Sequence, residues 1–305
     1  MVRWNGRIAD RKDLMSTITL ADGRAYAFEE WGDPAGELLF WLHGTPGGRL
    51  WRHPDLSLWS GLGLRVITVD RPGYGKSAPL PGRAVAHVAA DVAAVADHLG
   101  AGRFAVLGGS GGGPHALAVA ALLGDRVRAC VPVCSAAPTT EQEEDSLVEI
   151  NRESERVMRE QGRPGMVRRL TALREQILAD PLGGLLAQLS DAPGPDREWF
   201  SRPEVRQMMA EALPDALRPG VDGWVDDSMS LIHDPWGFDP GSVRCPTHFW
   251  HSDDDANAPL SAVQRVVSAV PGARLTTWHG QGHSAPSRNA GQVLTDLAGT
   301  LAASR

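Results

Sequence analysis

Residues 104–116 read FAVLGGSGGGPHA. The first four form a short apolar run, as a strand buried on both faces requires. A glycine-rich turn follows, and then Pro114, placed where a helix begins and its missing N–H costs no hydrogen bond. Leu117, Val119, Leu122 and Leu123 continue that helix. The pattern is G-x-S-x-G between a strand and a helix, which lifts a nucleophile clear of a sheet. Such a turn needs strained backbone angles and leaves no room for neighbouring Cβ atoms, so glycine surrounds the nucleophile. Ser110 is the one residue of the turn with a reactive atom.

Two rival readings fail. A flexible linker would not be entered by a strand and left by an apolar helix. Gly111, Gly113 and Ala116 fit a dinucleotide fingerprint, but that motif needs a carboxylate at the end of the next strand. Residues 135–138 there read SAAP, with no acid before Glu141. Likewise, Gly75-Lys76-Ser77 ends like a phosphate-binding loop, but Asp70 stands where its first glycine belongs.

Working outward, 305 residues hold one large domain, or one domain with an insertion. The net charge of −7 comes from interleaved acids and bases, so nothing marks a nucleic-acid or anionic-membrane face. The N-terminal MVRWNGRIADRKDLM lacks the apolar centre of a signal peptide, and no stretch approaches the roughly 20 apolar residues of a membrane span. Three cysteines fit a reducing, cytoplasmic setting. Cys130 and Cys134 are expected on one face of one strand, too far apart for a disulfide. No Cys/His spacing resembles a zinc site, and neither metal nor cofactor is expected. The expected partner is a small-molecule substrate, bound by a monomer or homodimer.

Strand-like runs at 16–20 and 24–31 flank Asp22-Gly23, a hairpin signal. Strands are expected at 37–42, 64–69, 104–107, 127–134, 247–251 and 273–278. The first two end in the turn-rich loops HGTPGG (43–48) and DRPGYGKS (70–77). Helices are expected at 84–99, after the glycine turn, and at 259–269 and 291–302. Alternating apolar strands and amphipathic helices predict an α/β fold: a mostly parallel central sheet flanked by helices. Loops after parallel strands gather on one edge, where ligands bind, so His43, Asp70 and Ser110 belong there. Between 136 and 236 the strand signals stop and helical segments appear at 141–161, 166–179, 182–189 and 203–217. That stretch reads as a helical cap inserted into a core formed by 1–135 and 237–305.

A serine hydroxyl needs a general base oriented by a carboxylate. The late strand 273–278 ends in WHGQGHS, and His283, between Gly282 and Ser284, is the preferred base over His279. The acid belongs after strand 247–251, where Asp253, Asp254 and Asp255 stand together. Asp255, four residues before the Pro259 that opens a helix, is preferred over the other two. The order Ser…Asp…His follows. Two backbone N–H groups must receive the oxyanion, and Gly111 and Thr45 are best placed.

These pieces carry a family resemblance. ADGRAYAFEEWGDPAG (21–36), HGTPGG, DRPGYGKS, GGSGGG (108–113), DDDANAP (253–259) and GQGH (280–283) together resemble the α/β-hydrolase fold, in its cap-bearing serine hydrolase group. The resemblance implies Ser110, Asp255 and His283 as triad, Thr45 and Gly111 as oxyanion donors, and no cofactor. Ser110 argues against haloalkane dehalogenases and related epoxide hydrolases, which carry aspartate there. Two departures stand out. Gly111 replaces a larger side chain of many relatives, so that side of the pocket is expected to be open, and Ser252 replaces a glycine before the acid. The expected chemistry is acyl-enzyme hydrolysis of a small to medium apolar ester, lactone or thioester. Proline iminopeptidase-like cleavage, with Glu141, Glu143, Glu144 and Glu149 as ammonium ligands, carbon–carbon bond hydrolysis, and ligand binding without turnover stand as alternatives. The expected substrate pocket comprises His43, Gly44, Gly109, Trp224 and Trp236.

Overall fold

In a computed structural model, residues 2–4, 7–9, 15–59, 61–181, 183, 191–232 and 236–303 are described. A short antiparallel pair, β1 (Val2–Trp4) and β2 (Arg7–Ala9), precedes the main sheet. The sheet has eight strands: β3 (Met15–Thr19), β4 (Ala25–Gly32), β5 (Glu37–Leu42), β6 (Leu64–Val69), β7 (Phe104–Gly109), β8 (Val127–Val133), β9 (His248–Ser252) and β10 (Arg274–Trp278). Their spatial order is β10-β9-β8-β7-β5-β6-β4-β3. β3 and β4 pair antiparallel, β4 runs antiparallel to β6, and the other neighbours are parallel. The Asp22-Gly23 hairpin thus forms one edge, and the strand carrying the glycine turn lies centrally.

Alternation along the strands divides the core. Phe40, Leu42, Phe104 and Val106 face a layer built by α1 (Val88–His98), α2 (Gly112–Leu123) and α8 (Leu260–Ala269). Leu39, Ala105, Leu107 and Val131 face the opposite layer, which contains α9 (Ala285–Arg288) and α10 (Ala290–Ala303). Burying both faces explains why these strands read as continuous apolar runs rather than alternating ones. The helix expected at 84–99 begins as a 3₁₀ turn, Val85–His87, and becomes α-helical at Val88.

Cys130 and Cys134 do not share a face. Cys130 packs with the α2 layer, whereas Cys134 lies past the end of β8 with φ +39° and packs in the other layer. The left-handed residue breaks the alternation on which the expectation relied.

Between β8 and β9 no described residue belongs to a strand; the α-helices are α3 (Glu141–Glu144), α4 (Glu149–Ala179), α5 (Gly194–Ser201), α6 (Pro203–Ala216) and α7 (Asp222–Ile232). The expected helix 141–161 is divided between α3 and α4, and α4 breaks at Gly162, which has φ +56° and ψ −155°. The helix expected at 182–189 lies outside the described residues apart from position 183. The insertion has its own core, with Met166, Leu170, Trp199, Met209, Leu213 and Trp224 packed around Tyr74 from the sheet domain. No helix among the described residues is long and apolar enough to cross a membrane.

Candidate active site

The turn after β7 holds Ser110 at φ +53°, one of two non-glycine residues in the left-handed region among those described. Its N–H donates to Val133 O at 3.0 Å, and its carbonyl accepts from Gly113 and Ala136. The glycines around it are there for close approach. A Cβ built on Gly108 would stand 2.1 Å from Gly112 O, on Gly112 2.1 Å from Leu42 O, and on Gly113 2.1 Å from Ser135 Oγ.

Asp255 is the aspartate of the triplet that turns inward. Its oxygens lie 2.9 and 2.8 Å from His283 Nδ1, and Oδ1 also accepts from the Asn257 and Ala258 N–H groups. Burial works to raise the Asp255 carboxyl, but the His283 imidazole, His251 and the Asn257 N–H outweigh it and leave it below the usual carboxylate range. For His283, burial works to lower the imidazole. The Asp255 charge and hydrogen bond, with help from Asp196, reverse this and leave it above its ordinary value. With Nδ1 donating to a buried carboxylate, Nε2 keeps the lone pair that a base needs. The rejected alternatives pair with each other at the surface: Asp253 accepts from His279 Nδ1 at 2.7 Å and from the Gly280 N–H. Ser252, the departure beside the acid, accepts from the Gln281 N–H at 3.3 Å and ties the acid loop to the histidine loop.

Cys134, His251 and Asp255 bring one potential ligand atom each within 4.8 Å of one another. Within this trio His251 Nε2 donates to Ala258 O and Asp255 accepts from His283 Nδ1.

Thr45, on the loop after β5, packs against Gly111 and lines the same cavity as Ser110. Its Oγ1 donates to Asp227 Oδ2 at 2.9 Å and accepts from Arg71 Nη2 at 3.0 Å. Arg71 also donates to the carbonyls of His43 and Gly44, and Tyr74 and Arg83 complete the shell around Asp227. Asp227 belongs to α7, so a fully buried carboxylate from the insertion anchors the HGTPGG loop through the arginine of DRPGYGKS. Burial opposes its charge, but Arg71 and Arg83 hold its carboxyl well below the usual range. Asp70, expected near the same edge, accepts from Arg49 Nη1 at 2.7 Å and from the Lys76 N–H, so it builds the loops.

A cavity of about 350 Å³ opens over Ser110. Gly44, Gly109 and Trp224 line it, together with Trp199, Phe200 and His283. His43 and Trp236 do not. The His43 ring is buried with Nδ1 2.7 Å from Gly44 O, and Trp236 stacks on Phe238 and donates to Leu231 O. Nor is the side of Gly111 open: a Cβ there would stand 2.4 Å from Thr45 Oγ1 and 3.0 Å from Leu231 Cδ1. Thr45 and α7 fill the space that a larger residue would need.

Glu141, Glu143, Glu144 and Glu149 are absent from the cavity lining. Glu143 pairs with Arg265, Glu144 with Arg159 and Glu149 with Arg152. The acid that does line it is Glu155 of α4, which accepts from Thr139 Oγ1 and is pushed up to about 7, chiefly by burial. Three acids, Asp196, Asp227 and Glu155, therefore matter here without having been visible in the sequence. Their positions carry no motif, and their partners are remote.

The family model for the alpha/beta hydrolase fold matches residues 37–285. The chain belongs to the α/β-hydrolase fold family. Over 93% of its length it is 28% identical to a non-heme haloperoxidase of Rhodococcus erythropolis, covering 98% of that protein. At the same coverage of both chains it is 24% identical to a bifunctional esterase/perhydrolase of Acinetobacter calcoaceticus. Among solved structures, a thermophilic esterase from Thermogutta terrifontis superposes with a TM-score of 0.65 at 21% identity, over 95% of this chain and 98% of that one. This structural likeness reinforces the fold assignment.

Proposed function

We propose that the protein is a serine hydrolase that cleaves a small to medium apolar carboxylic ester, lactone or thioester through an acyl-enzyme on Ser110. The observation that carries this reading is the His283–Asp255 pair, an imidazole oriented by a buried carboxylate, lining the same cavity as Ser110 on its left-handed turn. His283 Nε2 takes the Ser110 proton as Oγ attacks the carbonyl. The Thr45 and Gly111 N–H groups receive the oxyanion, and the imidazolium then protonates the leaving alkoxide or thiolate. Water, activated by the same His283, releases the acid.

The insertion serves as the cap, and its aromatic side chains give the cavity an apolar wall. The esterase activity named for the Acinetobacter relative supports the same chemistry. Proline iminopeptidase-like cleavage loses support because the four glutamates expected to hold an ammonium face arginines or lie away from the cavity. Hydrolysis of a p-nitrophenyl ester series tests the proposal. Turnover of short and medium acyl chains that disappears in folded Ser110→Ala is the expected outcome. Undiminished turnover in that variant refutes it.

A further inference from the structure

The first turn of α5 holds a carboxylate, Asp196, whose two oxygens bond to a distant part of the chain. Asp196 is only 1% exposed. Its Oδ2 accepts from the His283 N–H at 2.9 Å, and its Oδ1 from the Ser284 N–H at 2.6 Å. These two groups lie 87 and 88 residues further along the chain, in the sheet domain. A buried carboxylate with both oxygens on consecutive backbone donors fixes the position of that backbone.

The opposing loop is shaped to admit it. Gly282 has φ +66°, and a Cβ on it would stand 2.4 Å from Asp196 Oδ2. The glycine of GQGH is therefore required twice, by the turn and by the approach of the insertion. Arg288, just beyond the histidine loop, donates to Pro195 O at 3.2 Å and also to Gln281 O, closing the contact from the other side. Asp196 itself is not among the residues lining the cavity.

We propose that Asp196 is a positioning residue for the base: from the helical insertion it holds the loop bearing His283, so that the insertion and the base form one mechanical unit. This rests on the reading of His283 as general base. The charged and titratable groups acting on the His283 imidazole are Asp255 and His251, from β9 and its following loop, and Asp196 from α5; Cys134, beyond β8, lies against Asp255, and Ser110 lines the same cavity. Among these Asp196 is the one charge supplied by the insertion. Its loss displaces the ring and removes a negative neighbour of the imidazolium.

The test compares kcat, KM and the acid limb of the pH–rate profile of wild type with those of Asp196→Asn, which keeps the size but turns an amide N–H₂ toward a backbone donor. The expected result is a kcat about 10- to 100-fold lower, the cost of a misplaced catalytic group, with KM unchanged and the acid limb moved to lower pH. Gly282→Ala, which forces the same loop off Asp196 while keeping its charge, is expected to lower kcat with less movement of the acid limb. Wild-type kcat per folded molecule and an unmoved acid limb in Asp196→Asn, with only a lower Tm, overturn the proposal. If Asp196→Asn does not fold, wild-type kcat in Gly282→Ala overturns it. Labelling by a fluorophosphonate separates the two readings. No adduct on folded wild type defeats the assignment of Ser110, whereas equal labelling rates in wild type and Asp196→Asn defeat only the role of Asp196.

Discussion

Three adjacent aspartates compete for one role, and burial separates them. Asp253 bonds to exposed His279, whereas Asp255 is enclosed with its oxygens on His283 and two backbone N–H groups. Asp255→Asn is expected to keep the fold and lower kcat about 10⁴-fold, the scale seen when a triad aspartate is replaced. Asp253→Asn is expected to leave kcat unchanged, and ester turnover reads both. The residues proposed to react were legible in the sequence because each sits in a local pattern: Ser110 in its glycine turn, His283 and Asp255 after late strands. Asp196 and Asp227 were not, because a buried acid declares itself only through partners dozens of residues away. Gly111 shows the complementary limit, since its missing side chain signified occupied space. Gly111→Ala is expected to cost about 1–3 kcal/mol of stability by overpacking against Thr45, read as a lower midpoint in denaturant.

Sheet strands and the helices packed directly on them followed from apolar runs and helical periodicity, since both are dictated by burial against one surface. The helices α5 and α7 escaped that logic. Asp222 and Gly223 open α7, and Asp226, Asp227, Ser228 and Ser230 are buried within it, so polar residues occupy the face that periodicity expects to be apolar. The burial of Asp226 and Asp227 is stabilised by Arg71, Arg83, Arg163 and Tyr74. Asp227→Ala leaves Arg71 and Arg83 without their common carboxylate and is expected to destabilise the protein by about 3–5 kcal/mol, visible as a lower Tm. Thr45 loses its anchor in the same variant, so turnover per folded molecule is expected to fall as well.

At the scale of the whole molecule, the histidines set its response to acid. Burial, aided at His43 and His115 by the charge of Arg71, holds those two imidazoles below the ordinary 6.5, His115 at about 3, and burial also lowers His251. Between 6.5 and those depressed values the unfolded chain binds protons that the folded chain refuses, so stability falls as pH falls through that window. His283 has the opposite sign. Its raised value contributes stability that is present below 6.5 and lost as pH rises through the folded value. Glu155, pushed up to about 7, shares the sign of His283, since the folded chain keeps a proton there that the unfolded chain gives up. The three depressed imidazoles act against both, and their share is measured as a smaller loss of denaturation midpoint below pH 6.5 in His115→Gln than in wild type. Turnover is expected to fall on acidification through a pKa above 6.5, because the base must be neutral to accept the Ser110 proton.

All of these expectations depend on an activated serine, and intact-mass labelling with a fluorophosphonate probes it most directly. A single adduct on wild type, absent from folded Ser110→Ala and His283→Ala, is the predicted result. An unlabelled wild type, or an adduct that persists in folded Ser110→Ala, would contradict it.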